Sequence, residues 1–210
     1  MNYDYKNMSI NNFLDELKSG KSVPGGGATA ALDSAQGVAL LMMVANHTIG
    51  KKKYEEVELL NRDAIDKCEK LLQKLIAGID KDAKAFGMVA SAYAIKNDNP
   101  KVRLSAIAKA SVDATKAPLE VMSDSVKALE IANKLLGHSN KNLESDICVA
   151  VLSLQAGMLS ARYNVFANLP SIRSQDEVLA DKLKKLANLL TKKGLALAGI
   201  VIAGTGEEES

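Results

Sequence analysis

Residues 22–50 read SVPGGGATAALDSAQGVALLMMVANHTIG and decide the fold. Three glycines precede a run in which Ala, Leu, Met and Val occupy nearly every helical face, which predicts a helix over about 27–48. A helix that is apolar around most of its circumference is buried at the centre of a bundle or against another subunit. The stretch therefore predicts a helical bundle built around this segment, and a homo-oligomer is the economical inference.

The remaining segments of the 210-residue chain also show helical spacing of apolar residues. Turn residues and prolines separate the predicted helices, which cover about 9–20, 54–96, 101–137, 143–169 and 174–204. Pro118 is expected to kink or split the fourth long helix, and Pro170 to close the fifth. Residues 1–210 are thus predicted to form one all-α domain, a bundle of about six long, mostly antiparallel helices, with residues 1–8 and 204–210 frayed.

The composition argues against several classes of protein. A net charge of +2 is too small to indicate nucleic-acid binding. The two cysteines, Cys68 and Cys148, lie in separate helical segments without metal-ligand spacing, which favours a reducing compartment. The N-terminus lacks the pattern of a signal peptide, and the most apolar window, residues 38–44, is shorter than a membrane span. We therefore expect a cytoplasmic protein that binds neither membrane nor nucleic acid.

The glycines Gly25, Gly26 and Gly27 allow two interpretations. They directly precede a helix, where unpaired amide donors and the positive end of the helix dipole suit an anionic ligand. They could instead permit close packing of a neighbouring helix. No Gly-Lys-Ser/Thr follows them, so the stretch is not a Walker loop, and the spacing alone leaves both interpretations open.

Charged residues in two further stretches are ambiguous by themselves. Asp82 lies within the apolar register of DKDAKAF, where an inward carboxylate could act as an acid or base, although the pattern alone favours an exposed charge. The run Lys51, Lys52 and Lys53 is either a solvated basic turn, which is the better interpretation of the sequence alone, or a cationic rim for a carboxylate-bearing substrate. The histidines His47 and His138 are too far apart in the sequence, and too poor in carboxylate neighbours, to predict a metal site.

Polar residues near the fifth helix are harder to explain as surface. Asp146 precedes an apolar run and could be a helix-capping residue. Asn164 and Asn168 are four residues apart, so they project from one helix face. Two amides on an otherwise apolar helix need hydrogen-bond partners, which either a subunit interface or a ligand groove would supply.

Five motifs, in order, resemble the cyclodeaminase domain of formiminotransferase-cyclodeaminase and its free-standing bacterial relatives. They are VPGGGATAAL, MVANHTIGKKKY, DKDAKAF, SNKNLESD and NVFANL, and the resemblance extends from about Ile10 to the last helix. The chain departs from the family pattern at Ser139-Asn140, where Gly-Asn is common, and at AYAIKNDNP, which lacks the family's Leu-Pro-Lys. PGGG alone is a weak signal, whereas the ordered set of five is specific.

This resemblance implies an all-helical homodimer with a folate groove at or near the interface. The implied substrate is a tetrahydrofolate derivative, with or without a polyglutamyl tail, and no cofactor or metal is expected beyond it. The first expected reaction converts formiminotetrahydrofolate to methenyltetrahydrofolate with release of ammonia. The alternatives are a methenyltetrahydrofolate cyclohydrolase, which interconverts methenyl- and formyltetrahydrofolate, and a folate-binding helical oligomer without turnover.

The resemblance also assigns roles to residues. It makes Asp82 the catalytic acid/base, reversing the preference for an exposed charge. Asn140, Asp146, Asn164 and Asn168 are implied to orient the pterin or the one-carbon unit. The glutamyl carboxylates are implied to meet the three lysines 51–53, and the three glycines 25–27 to admit the ligand close to the backbone.

Overall fold

Six α-helices and three short 3-10 helices form the fold of residues 3–96 and 98–204, the parts of the chain that this computed structural model describes. No strand occurs in these residues, so the prediction of an all-α bundle is confirmed. The α-helices are α1 (Ile10–Leu17), α2 (Gly26–Asn46), α3 (Glu58–Tyr93), α4 (Pro100–Leu135), α5 (Glu144–Arg173) and α6 (Glu177–Gly204). The 3-10 helices are Tyr5–Asn7, Lys52–Val57 and Lys141–Leu143.

The predicted end of α5 at Pro170 is wrong, and α4 is not split at Pro118. Helix α4 runs through the buried Pro118 without being split, and α5 runs three residues past Pro170 to Arg173. A proline removes only its own amide from the ladder of helical hydrogen bonds. The flanking turns remain packed against neighbouring helices, and the amide of Ser174 still donates to the carbonyl of Pro170 over 3.2 Å. Tertiary contacts therefore carry both helices past their prolines.

Helix α2 lies at the centre of the bundle, as its composition predicts. It packs against α3, α4 and α5, and its buried residues fall on several faces of the helix. Two glycines permit the close antiparallel approach of α2 and α5. A Cβ added to Gly37 would overlap the carbonyl of Ala150, and one added to Gly157 would overlap Ser34. This register brings the beginning of α2 beside the last third of α5.

Helix α3 packs antiparallel to α2 on another side. Gly78 of α3 lies against the methyl group of Ala31, and Gly27 lies against Asp82. The C-terminal part of α3 beyond Asp82 therefore extends past the first turn of α2. The beginning of α2, the middle of α3 and the last third of α5 meet at one end of the bundle.

An N-terminal segment, residues 3–8, is held against this end. The buried Asp80 of α3 accepts hydrogen bonds from the amide of Tyr5 over 2.8 Å and from the amide of Lys6 over 3.4 Å. The hydroxyl of Tyr5 donates to the carbonyl of Val23 over 3.1 Å. Residues 5–7 form a 3-10 helix in this segment, although residues 1–8 are predicted to be frayed. Residues 1, 2 and 205–210 lie outside the described residues.

Three helices are long and apolar enough, by length and composition alone, to cross a membrane. They are residues Gly26–Asn46, Lys141–Arg173 and Glu177–Gly204. This corrects the expectation that the most apolar stretch falls short of a span. A 21-residue apolar helix is also what the centre of a helical bundle requires, because α2 contacts other helices on most sides.

Candidate active site

The carboxylate of Asp82 lies directly over Gly27 in the first turn of α2. A Cβ on residue 27 would overlap this carboxylate, so only glycine permits the approach. The backbone amide of Ala28 donates a hydrogen bond to Asp82. The side chain of Asp82 is half-buried, and its neighbours along α3, Ala83 and Ala85, are buried. Asp82 therefore lies against the first turn of α2, beside the amide of Ala28, rather than on an outer surface.

Burial raises the pKa of Asp82 above its ordinary value of 3.8, and the hydrogen bond from the amide of Ala28 partly opposes this effect. Desolvation disfavours the ionised carboxylate, and none of its neighbours is close enough to act as a compensating cation. A carboxyl group whose pKa is moved towards neutrality is suited to both accept and return a proton.

Two amide side chains of α5 face the same space. The Nδ2 groups of Asn164 and Asn168 each donate to the carbonyl four residues earlier, at 3.0 Å in both cases. Within the described residues, the Oδ1 atoms of these amides accept no hydrogen bond, so both are available to a ligand. Gly26 is exposed, and a Cβ added to it would lie 3.7 Å from Oδ1 of Asn164, an ordinary contact.

These residues enclose a cavity of about 310 Å³, which we call the Asp82 cavity. Its volume lies at the lower end of the range of about 300–1,000 Å³ that is typical of ligand sites. Its lining combines polar groups from three helices with apolar side chains. It includes Ser22, Val23, Gly25, Gly26, Gly27, Asp82, Phe86, Ala114, Asn164 and Asn168. The structure thus brings together six of the residues that the resemblance implies.

The other implied residues of the same chain lie at the opposite end of the helical bundle. Lys51, Lys52 and Lys53 follow the C-terminus of α2, so the 21-residue helix separates them from the glycines by about 30 Å. Asp146 lies in the first turn of α5, about 27 Å along the helix axis from Asn164. Lys51 and Lys52 line a separate surface cavity that they share with Glu55 and Glu58. One chain alone does not bring these residues to the Asp82 cavity.

Asn140 is bonded within the fold at that opposite end. Its backbone amide donates to Oγ1 of Thr48 over 2.9 Å, and its Oδ1 atom accepts from the hydroxyl of Tyr54 over 3.1 Å. Its Nδ2 group donates weakly to the carbonyl of His47 over 3.4 Å. These contacts tie the C-terminus of α2 to the loop before α5, so in this chain Asn140 joins two segments of the fold.

The Asp82 cavity is also lined by residues outside the set that the resemblance implies. The spacing of four residues between Asp82 and Phe86 in DKDAKAF predicts that both lie on one face of α3, and both line the cavity. Val23 and Ala114 give no such signal, because only the packing of the helices brings them to the cavity. Among residues 3–96 and 98–204, no group of three His, Cys, Asp or Glu side chains is arranged to hold a metal ion. The absence of a metal stays a prediction.

The sequence profile of the formiminotransferase-cyclodeaminase family matches residues 9–188. The chain belongs to this family. It is 39% identical over 192 residues to a methenyltetrahydrofolate cyclohydrolase of Methylorubrum extorquens, covering 90% of this chain and 91% of that protein. It is 28% identical over 198 residues to the formimidoyltransferase-cyclodeaminase of Mus musculus, of which the match covers 36%.

A solved structure supports the same membership of the formiminotransferase-cyclodeaminase family. The formiminotetrahydrofolate cyclodeaminase of Thermotoga maritima superimposes with a TM-score of 0.88 at 27% sequence identity. The match covers 96% of this chain and 98% of that one. The chain spans about a third of the length of the formimidoyltransferase-cyclodeaminase of mouse but nearly all of the bacterial cyclohydrolase and cyclodeaminase.

Proposed function

We propose that this chain is a folate one-carbon enzyme that converts formiminotetrahydrofolate to methenyltetrahydrofolate and ammonia. The observation that carries the proposal is the half-buried carboxylate of Asp82, held over Gly27 in a cavity that Asn164 and Asn168 also line. The membership of the formiminotransferase-cyclodeaminase family supports the substrate class.

The reaction needs one group that moves a proton between two nitrogens. The anilino nitrogen N10 attacks the carbon of the protonated formimino group. A new carbon–nitrogen bond forms while the carbon–nitrogen double bond becomes single, and a tetrahedral centre that carries an amino group results. Asp82, as the carboxylate, takes the proton from N10 and delivers it to the amino group on that carbon. The carbon–nitrogen bond to this group then breaks, ammonia leaves, and the methenyl cation remains. The raised pKa of Asp82 suits both halves of this transfer.

The remaining polar groups of the cavity orient the substrate. The free Oδ1 atoms of Asn164 and Asn168 accept hydrogen bonds from amino and ring N–H groups of the pterin. Gly26 has no side chain and is exposed to the cavity, so the pterin can approach the backbone there. Such positioning matters because a near-attack geometry removes much of the entropic barrier to ring closure.

A second candidate reaction is the cyclohydrolase reaction, which the 39% identity to the bacterial methenyltetrahydrofolate cyclohydrolase favours. A water molecule attacks the methenyl carbon while Asp82 accepts its proton. One of the two ring carbon–nitrogen bonds then breaks, and that nitrogen takes the proton held by Asp82. The hydroxyl on the carbon loses its own proton to solvent as the carbonyl forms, and formyltetrahydrofolate results. Both reactions pass through a tetrahedral carbon at the same place, so the same carboxylate serves either.

Purified protein supplied with each folate separates these reactions. The methenyl absorbance reports ring formation or opening, and an ammonia assay reports deamination. Ammonia release matched by methenyl formation supports the cyclodeaminase, whereas loss of methenyl absorbance without use of the formimino substrate supports the cyclohydrolase. Folate binding without turnover of either substrate would support a non-catalytic folate-binding oligomer instead.

We further propose that the protein is a cytoplasmic homodimer that binds neither nucleic acid nor membrane. Exposed apolar side chains on α5 and α6 support self-association, because an interface with a second copy would remove them from water. They include Val149, Leu152, Leu189 and Ile200, each more than half exposed. Light scattering after size-exclusion chromatography measures the mass, and Leu189→Arg is expected to shift it towards the monomer.

A further inference from the structure

A second, larger cavity adjoins the Asp82 cavity. It has a volume of about 870 Å³ and shares Ser22, Val23 and Phe86 with the Asp82 cavity. The two spaces therefore meet at Phe86, whose side chain is 44% exposed. We call the larger space, which Tyr3, Lys84, Phe86 and Met88 line, the arm groove, because an extended arm of a ligand could occupy it. A ligand whose reacting atoms lie at Asp82 can extend into this groove.

The arm groove is lined mostly by apolar and aromatic residues, with two serines and one charged side chain. Tyr3, which stacks on Tyr5 with ring centroids 5.6 Å apart, lines it together with Met88 and small residues of α3. Lys84 is the one charged residue that lines it among residues 3–96 and 98–204. In the same described residues Lys84 forms no salt bridge, whereas Lys81, one turn earlier, is paired with Glu120 over 2.7 Å. The Lys84 ammonium is thus available to an anion.

Lys84 and Asp82 face different spaces although they are close in sequence. Residues two positions apart on an α-helix, such as 82 and 84, point about 200° apart around its axis. Consistent with that separation, the pKa of Asp82 is set by burial and by the amide of Ala28, with no contribution from Lys84. The lysine therefore does not neutralise the carboxylate, and the two groups can act on different parts of one ligand.

Resting on the proposed function, we propose that the arm groove holds the aminobenzoyl-glutamate part of the folate and that Lys84 binds a glutamyl carboxylate. In a tetrahydrofolate the aminobenzoyl ring is attached to N10, which is itself one of the reacting nitrogens. A substrate that reacts at Asp82 must therefore direct its arm out of the smaller cavity at once. Phe86, at the junction, presents an aromatic surface to the aminobenzoyl ring.

Distance distinguishes Lys84 from the lysine run 51–53. The arm from N10 to the glutamyl carboxylates is on the order of 10 Å long, comparable to about three extended residues. Lys51, Lys52 and Lys53 of the same chain lie about 30 Å from the glycines, beyond the reach of a folate with one glutamyl residue. Within one chain, Lys84 is the lysine that lines the arm groove, which adjoins the Asp82 cavity.

The test compares two substrates that differ only in the glutamyl residue. Lys84→Ala and Lys84→Glu are assayed with a one-glutamate tetrahydrofolate substrate and with its pteroate counterpart, which lacks glutamate. We expect Lys84→Ala to raise KM for the glutamyl substrate about fivefold to tenfold, with kcat unchanged, and Lys84→Glu to raise it further. KM for the pteroate substrate is expected not to change. Lys81→Ala, the matched control on the same helix, should leave both KM values at the wild-type level.

Three results would overturn the proposal. An unchanged KM for the glutamyl substrate in Lys84→Ala, with normal wild-type turnover, rejects the groove assignment alone. If KM for the glutamyl substrate rises instead in the triple variant Lys51→Ala/Lys52→Ala/Lys53→Ala, the carboxylate site lies at the opposite end of the bundle. A wild-type protein that neither binds nor converts any folate rejects the proposed function and this assignment with it.

Discussion

The carboxylate of Asp82 occupies the space above Gly27 that the Cβ of any other residue would fill. A residue of α3 and a residue of α2, separated by more than fifty positions in the sequence, are thereby matched in shape. The match directs Asp82 towards the amide of Ala28 and holds it at the Asp82 cavity. Gly27 thus fixes the position of the proposed acid/base group, while Gly26 is exposed at the Asp82 cavity.

Replacing Asp82 by asparagine should abolish most turnover without weakening the fold. Asparagine keeps the shape and can still accept the hydrogen bond from Ala28, but it cannot transfer a proton. We expect kcat to fall about 10²- to 10⁴-fold, the usual contribution of a general acid/base, while folate binding persists. Asp66→Asn, an exposed carboxylate on the same helix, is the matched control. A wild-type rate in Asp82→Asn would remove this residue from the mechanism.

The same variant should change how stability depends on pH. The pKa of Asp82 is higher in the folded protein than its ordinary value of 3.8, so the folded state binds more protons between these two values. The free energy of unfolding of the wild type therefore loses this contribution as pH rises through that window. Chemical denaturation at several pH values should show Asp82→Asn becoming more stable relative to the wild type from about pH 4 towards neutrality. A constant difference across that range would contradict the pKa shift.

Gly27→Ala and Gly26→Ala should separate the two roles of the glycines. At Gly27 the new methyl group displaces the Asp82 carboxylate, and misplacement by about 1 Å costs on the order of 100-fold in rate. At Gly26 the methyl group meets only Asn164 at 3.7 Å and leaves Asp82 in place, so kcat should stay near that of the wild type. The larger Gly26→Val should weaken folate binding more than it lowers the melting temperature. Equal folate affinity in folded Gly26→Val would favour a packing role for this glycine.

The N-terminal segment should support the site through Asp80. Asp80→Ala leaves the amides of Tyr5 and Lys6 without their acceptor, which should lower the free energy of unfolding by about 1–3 kcal/mol. Tyr5→Phe removes only the hydrogen bond to Val23, with an expected cost of about 0.5–1.5 kcal/mol. Both variants should raise KM for folate, because Val23 lines both cavities. Asp66→Ala is the control, and an unchanged KM in both variants would show that the segment does not shape the site.

Truncating the amides of α5 should weaken binding rather than stability. In Asn164→Ala and Asn168→Ala each lost side chain bonds only to its own helix, so the melting temperature should stay near that of the wild type. Each lost hydrogen bond to the pterin should raise the dissociation constant roughly 3- to 10-fold. Isothermal titration with the folate substrate measures this, with the exposed Asn133→Ala on α4 as control. Wild-type affinity in both variants would exclude these amides from the site.

The sequence by itself determined the helical architecture and the residue types of the site. The apolar circumference of residues 26–46 predicts a central helix, and local patterns place the other five helices within a few residues. The ordered motifs identified the family, and the resemblance predicts Asp82 as the acid/base residue. These features are readable because helix formation and burial leave a periodic record in neighbouring positions.

Only the tertiary structure decided which of those residues meet. Gly27, Asp82 and Asn164 come together because α2 runs antiparallel to both α3 and α5, in registers that small residues permit. The lysines 51–53 and Asp146 belong to equally clear motifs, yet the lengths of α2 and α5 place them at the end of the bundle opposite the Asp82 cavity. Nothing in the DKDAKAF pattern distinguishes Lys84 from the other lysines of α3, and only the structure shows that it lines a cavity next to the Asp82 cavity. A helix fixes spacing along its own axis, whereas distances between helices depend on packing that no single segment encodes.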